Sequence, residues 1–203
     1  MNHLANLYLS RNLGEKMLGC LIGEIVRTSN FEKYTQSIVE GIELNKKISN
    51  FVKDHPVYER SRMKLNPKYS KHASKIIDIF YDHFLAANWH LYSEESLGQF
   101  AREHYDFILE NHGILPYKLR KIISVMVNDN WLVNYASVQG IHSFMREITR
   151  RDTFQTNLEY SLEDLINQYN EFKADFDEIF PQVQQYVHEL THTEEMVLQE
   201  VYR

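Results

Sequence analysis

The stretch Lys75–Tyr92, KIIDIFYDHFLAANWHLY, constrains this chain more than any other. Wound as an α-helix, its apolar side chains fall almost all the way round the cylinder, the pattern of a helix buried on every side. Such a helix needs other helices around it, so the stretch predicts an all-α, single-domain bundle with a buried central helix. It nevertheless carries Asp78, Asp82, His83 and His90. Asp78 and Asp82 stand one turn apart on one face; His83 and His90, two turns apart, share another. A carboxylate or imidazole in apolar surroundings is costly unless it is paired or holds a metal. These groups mark either a site or a hydrogen-bonded core network, and the helix alone leaves both open.

The remainder of the chain agrees with the helical class. Seven glycines and four prolines in 203 residues leave little punctuation, and there is no internal repeat or low-complexity linker, so residues 1–203 read as one domain. Helices are expected over 2–10, 14–27 and 31–53, the last capped near Thr35, then over 56–65 before Asn66-Pro67. After the central helix, Ser93 should cap a helix that Gly113 stops, and Pro116 should start another ending near Leu132. Ser137–Arg151 is amphipathic. Ser161–Asp164 resembles a capping box before a helix to Phe180, and Pro181 should kink or restart the last helix. Gly19 and Gly23, four apart, permit another backbone to approach closely. Glu24 lies in the same apolar segment; it either faces out or needs a partner.

Charge and cysteine usage narrow the function classes. A formal net charge of −6 argues against general binding to nucleic acid or anionic membrane. The lone Cys20 excludes a disulfide framework and suits a reducing cytoplasm. The first residues show no leader pattern, and no run reaches the roughly 18 apolar residues of a membrane span, so a cytoplasmic protein is expected. Charge is unevenly spread. Lys53–Lys75 holds seven basic side chains against Asp54 and Glu59, while Glu159 onward holds eleven acidic ones against Lys173 and Arg203. Each run reads as a solvated face. The basic strip, with Arg60, Arg62, Lys64 and Lys68, reads alternatively as a dock for an acidic partner or a phosphate.

Few local motifs carry chemistry. His188–His192 matches H-E-x-x-H, but only eleven residues follow in which a third zinc ligand could lie, and the segment is polar. It reads as an exposed helix. No phosphate-binding loop, dinucleotide fingerprint or nucleophile elbow occurs, and Cys20 reads as a buried structural thiol.

Several longer motifs occur in a telling order. MNHLANLYLS at the start resembles M-N-F-L-A-H-x-Y-L-S; GCLIGEI at Gly19–Ile25 stands where G-N-x-x-G/A-D-F would. Gly41–Pro56 is similar to G-I-x-L-H-R-x-I-D-x-F-T-D-x-H-P, and Asp78–Trp89 to D-x-x-x-D-H-F-L-A-x-x-W. Together they resemble the acyl carrier protein phosphodiesterases, helical proteins related to the HD phosphohydrolases. The resemblance implies an HD-like bundle and hydrolysis, assisted by Mn2+ or Mg2+, of the phosphodiester that joins 4′-phosphopantetheine to a carrier-protein serine. The ion would need carboxylate and imidazole ligands, would activate a water and would neutralise phosphate charge. Carried over, the implied ligands are Glu24, Asp78, Asp82 and His83, with Glu24, Asp82 and His83 in catalysis.

This chain departs from the pattern at several of those positions. Asn6 replaces a histidine, Cys20 an asparagine, Glu24 an aspartate, Asn45-Lys46 a His-Arg pair, Ser49 an aspartate and Lys53 another aspartate. Asn is a poor metal ligand beside His, and Lys53 puts a positive charge where a negative one is expected. His55, His90 and Glu43 are substitute ligands to consider. Three readings follow. One is a non-catalytic or weakly active relative that binds acyl carrier protein or another acidic protein through Lys46, Lys53 and the basic strip. Another is an active phosphodiesterase with a rearranged site, and the third is a different reaction in the same pocket.

Overall fold

A computed structural model describes residues 2–26, 31–151 and 158–201, without the side chains of 66, 67, 151 and 193–201. Every regular element among the described residues is helical. In chain order they are α1 (His3–Ser10), α2 (Glu15–Gly23), α3 (Gln36–Asp54), α4 (Pro56–Tyr69), α5 (Ala73–Ala87), α6 (Leu97–Glu110), α7 (Tyr117–Asn128), α8 (Trp131–Asn134), α9 (Val138–Arg151), α10 (Ser161–Asn167) and α11 (Tyr169–Val201). None of these helices is long and apolar enough to cross a membrane.

The central helix is α5, packed on by α1, α4, α9 and α11. Ile76, Ile77, Phe80, Tyr81, Phe84 and Leu85 are wholly buried, each worth about 1.5–3 kcal/mol of transfer free energy. Phe84 meets Phe176 and Tyr169, while Phe80 meets Phe172 edge to face, so α11 contributes an aromatic row to one side of α5.

The partner of α2 is α3, and the glycines set how closely they approach. A methyl at Gly19 would lie 2.1 Å from the Ile38 carbonyl oxygen, and one at Gly41 would lie 2.0 Å from that of Lys16. The helices therefore touch backbone to backbone. Gly23 is pressed only by the Asn45 side chain, at 3.0 Å. This contact brings Glu24, just past the end of α2, beside Asn45 of α3.

The two uneven charge runs turn out to face each other. Arg60 reaches Asp175 through Nε (2.7 Å) and Glu178 through a terminal nitrogen (2.7 Å), Lys64 Nζ lies 2.8 Å from Asp175, and the Ser61 hydroxyl donates to Asp175 as well. Lys68 and the Tyr69 hydroxyl both bind Asp164. Parts of two stretches read separately as solvated faces, Arg60, Lys64 and Lys68 with Asp164, Asp175 and Glu178, thus form one α4–α11–α10 seam.

Local expectations fared unevenly. Thr35 caps α3 by accepting from the Ile38 amide. Ser96 rather than Ser93 caps α6, in a reciprocal capping box with Gln99, because Trp89–Leu91 forms a 3-10 turn that takes up Ser93 through the Trp89 carbonyl. α4 continues past Asn66-Pro67 to Tyr69, and α11 runs through Pro181 unbroken. Ser161 caps nothing: its hydroxyl donates to the Leu158 carbonyl, and Asp164 is spent on Lys68 and Tyr69.

Candidate functional site

A cleft of about 840 Å³ opens between α3 and the start of α5. α3 contributes Asn45, Ser49 and Lys53, stacked at successive turns, with Lys46 and Asn50 beside them. Lys71, Ser74, Lys75 and Asp78, in and just before α5, line it too, as do Tyr58 of α4, Asn2 and Glu24. Seven positions singled out from the sequence thus line one cleft: Glu24, Glu43, Asn45, Lys46, Ser49, Lys53 and Asp78.

Glu24 faces inward and has partners. Its Oε1 accepts from Asn6 Nδ2 at 2.6 Å, and its Oε2 lies 2.7 Å from His3 Nδ1. The His3 contact is a charge contact rather than an aligned hydrogen bond. Burial would favour neutral His3, but the charges of Glu24 and Asp82 outweigh it and raise its pKa. Asn6, which stands where the resembled motif has a histidine, thus serves as an amide donor that orients the glutamate.

Asp82 lies deeper, outside the cleft lining. Its Oδ2 accepts the Leu4 amide at 2.9 Å and its Oδ1 the Ala5 amide at 3.0 Å. These are among the orphan donors of the first turn of α1, and the residue at the N-cap, Asn2, offers no side-chain bond to them. Asp82 is therefore a helix cap delivered from another helix, held at the positive end of the α1 dipole. Burial raises its carboxyl to about 7, against the pull of the two amides and of His3.

His83 turns the other way. Its Nδ1 is 2.8 Å from the Tyr135 carbonyl oxygen, so that nitrogen must carry the proton, and its Nε2, 3.0 Å from the Tyr169 hydroxyl, accepts from it. Burial lowers its pKa and keeps the ring neutral. Asp78, at the cleft, accepts from the Tyr58 hydroxyl at 3.1 Å. The central-helix polar groups therefore divide: Asp78 faces the cleft, while Asp82 and His83 tie α5 to α1, to Tyr135 and to α11.

No three His, Cys, Asp or Glu side chains among the described residues come together as a metal-holding group. Glu24 is engaged by His3 and Asn6, each Asp82 oxygen already accepts an amide, and both His83 nitrogens are bonded. In this arrangement the donor set does not fit Mn2+ or Mg2+. The substitute candidates add little. His90 is exposed, and His55 contacts Gln182. His188 and His192 stack on the exposed face of α11. Cys20 donates to the Gly41 carbonyl, and burial pushes its thiol up to about 12, far from a nucleophile.

Four of the six basic residues read as a partner dock, Arg60, Arg62, Lys64 and Lys68, are ion-paired within the chain. Lys46 and Lys53 are exposed in the cleft wall and make no ion pair among the described residues. Sequence reasoning missed His3 and Tyr58. His3 lies one turn before Asn6 on a helix with no solvent face, a signal that it needs an acid; nothing marks Tyr58 in advance.

The acyl carrier protein phosphodiesterase family profile matches residues 1–183. Among relatives so named, one from Photorhabdus laumondii is 28% identical over 89% of this chain and 92% of its own. Others from Serratia proteamaculans and Pectobacterium atrosepticum are 25% and 24% identical, each over 91% of this chain and 96% of its own. No solved structure matches. With the motifs in order and the profile spanning nearly the whole chain, this protein belongs to the acyl carrier protein phosphodiesterase family.

Proposed function

We propose that this chain docks an acyl carrier protein at the α3–α5 cleft and cleaves its phosphopantetheine arm weakly or not at all. One observation carries the reading. The Asp82–His83 pair, implied as ligands and catalytic groups, is committed to backbone amides, a backbone carbonyl and a tyrosine hydroxyl. Asn6, Asn45, Ser49 and Lys53 remove further imidazole and carboxylate ligands around the cleft. Docking relies on Lys46 and Lys53, because Arg60, Lys64 and Lys68 already hold α4 to α11 and α10. The setting is the cytoplasm, where a lone buried thiol stays reduced.

The competing reading, an active phosphodiesterase using Mn2+ or Mg2+ on Glu24, Asp78, Asp82 and His83, has one supporting observation: Glu24 and Asp78 both line the cleft. Incubation with holo-acyl carrier protein, with Mn2+, Mg2+ or EDTA, followed by intact mass measurement separates the two. The expected result is a salt-sensitive complex with little or no apo product. Rapid conversion that disappears in Glu24→Gln or Asp78→Asn would establish the active reading instead. Absence of both binding and conversion would remove the carrier protein as partner.

A further inference from the structure

The cleft shows which charge it is built to meet. Four lysines line it, Lys46 and Lys53 on α3 and Lys71 and Lys75 across from them, against the carboxylates Glu24, Glu43 and Asp78. Glu24 is balanced by His3 and Asn6, and Asp78 accepts the Tyr58 hydroxyl. Lys46 and Lys53, by contrast, have no carboxylate partner among the described residues. On the same wall stand Asn45, Ser49 and Asn50, neutral donors on α3. A site meant to gather a divalent cation needs converging anionic oxygens; this one offers unpaired ammonium groups flanked by amide and hydroxyl donors. Such a set suits an anion with several oxygen acceptors.

We infer that the cleft binds a phosphate group directly through Lys46 and Lys53, with Ser49 and Asn45 as hydrogen-bond donors, and needs no divalent cation to do so. The lysines supply the neutralising charge that a bound metal would otherwise bring. The ligand class is a phosphate ester carried on a chain small enough for the cleft, with its negative oxygens toward α3. No covalent step is involved. The inference deepens the docking reading and rests on the cleft being the site.

The test uses the full chain and inorganic phosphate as probe, followed by 31P line width and by calorimetry, in EDTA and again with added Mg2+. The expected result is saturable binding in EDTA that Mg2+ leaves unchanged. Lys46→Gln with Lys53→Gln should weaken it by about tenfold or more. Both lysines are exposed, so the variant keeps its fold, which circular dichroism checks. Lys53→Asp should abolish binding as well. Binding that appears only with the divalent ion, binding indifferent to both lysines, or no saturable binding would each overturn the inference. Carrier-protein docking measured on the same preparation separates the two readings: docking without phosphate binding sinks only the anion site, and phosphate binding without docking sinks only the partner.

Discussion

Replacing Asp82 by alanine probes whether this residue is a structural cap. The Leu4 and Ala5 amides bond to its two oxygens at 2.9 and 3.0 Å, and both residues have no exposed surface. Water cannot reach the freed donors. Each buried donor left without a partner costs about 1–3 kcal/mol, and relief from burying an acidic group offsets part of this, so a net loss of about 3 kcal/mol is expected. Asp82→Asn keeps one acceptor oxygen and should lose about half as much. In urea unfolding, with a slope of about 3 kcal/mol per molar, Asp82→Ala should lower the midpoint by about 1 M. A shift within the roughly 0.5 kcal/mol of an ordinary surface substitution would refute the capping argument. The pH dependence tests the balance at the carboxyl itself. Its folded pKa is raised from 3.8 to about 7, so the native state binds more protons than the unfolded chain between those values. Wild type therefore loses stability as pH rises through that window, whereas Asp82→Asn cannot ionise and does not. The deficit of the asparagine variant should narrow from pH 4 to pH 7. A deficit that widens would mean the amides, not burial, govern this group.

Three further outcomes are expected. Asp175 is buried, and although burial opposes its ionisation, Lys64, Ser61 and Arg60 hold its pKa below the usual value; its contribution is present above pH 3.8 and lost as pH falls through the folded pKa. Asp175→Ala should cost about 1–3 kcal/mol by leaving Lys64 without its carboxylate and removing an acceptor from the Ser61 hydroxyl, while half-exposed Arg60 keeps Glu178, and denaturation at neutral pH reads it. Gly19→Ala drives a methyl into the Ile38 carbonyl and should cost about 1–3 kcal/mol or more; a neutral effect in thermal unfolding would contradict the close α2–α3 contact. Tyr169→Phe removes the hydroxyl donor to His83 Nε2 and should cost about 1 kcal/mol, while 15N chemical shifts still report a proton on Nδ1; an Nε2–H tautomer in wild type would contradict the assigned geometry.

The helical class was legible because burial leaves a periodic trace. Lys75–Tyr92 is apolar almost all the way round the cylinder, and eleven of the fifteen residues of α5 are buried. Thr35 was legible as a cap because its acceptor bonds to an amide three residues away, within the same local stretch. Gly19 was legible as a contact point, although Gly41, the residue it meets, was not. Expectations failed where a nearby residue had a better use elsewhere. Asp164 belongs to Lys68 and Tyr69 rather than to a capping box, and the last helix does not restart at Pro181.

The sequence by itself determined the helical class, the central helix, the family and the positions at which expected ligands are replaced, because periodicity and motif order are properties of the chain. Tertiary structure alone decided what the charged residues do. Asp82 and His83 are neighbours in sequence, yet one caps α1 and the other ties Tyr135 to Tyr169. Arg60 and Asp175 are 115 residues apart and become a pair only when α4 meets α11. A polar group's role depends on which donor or charge lies within about 3 Å of it. That distance is set by helix packing, and no local pattern in the chain encodes it.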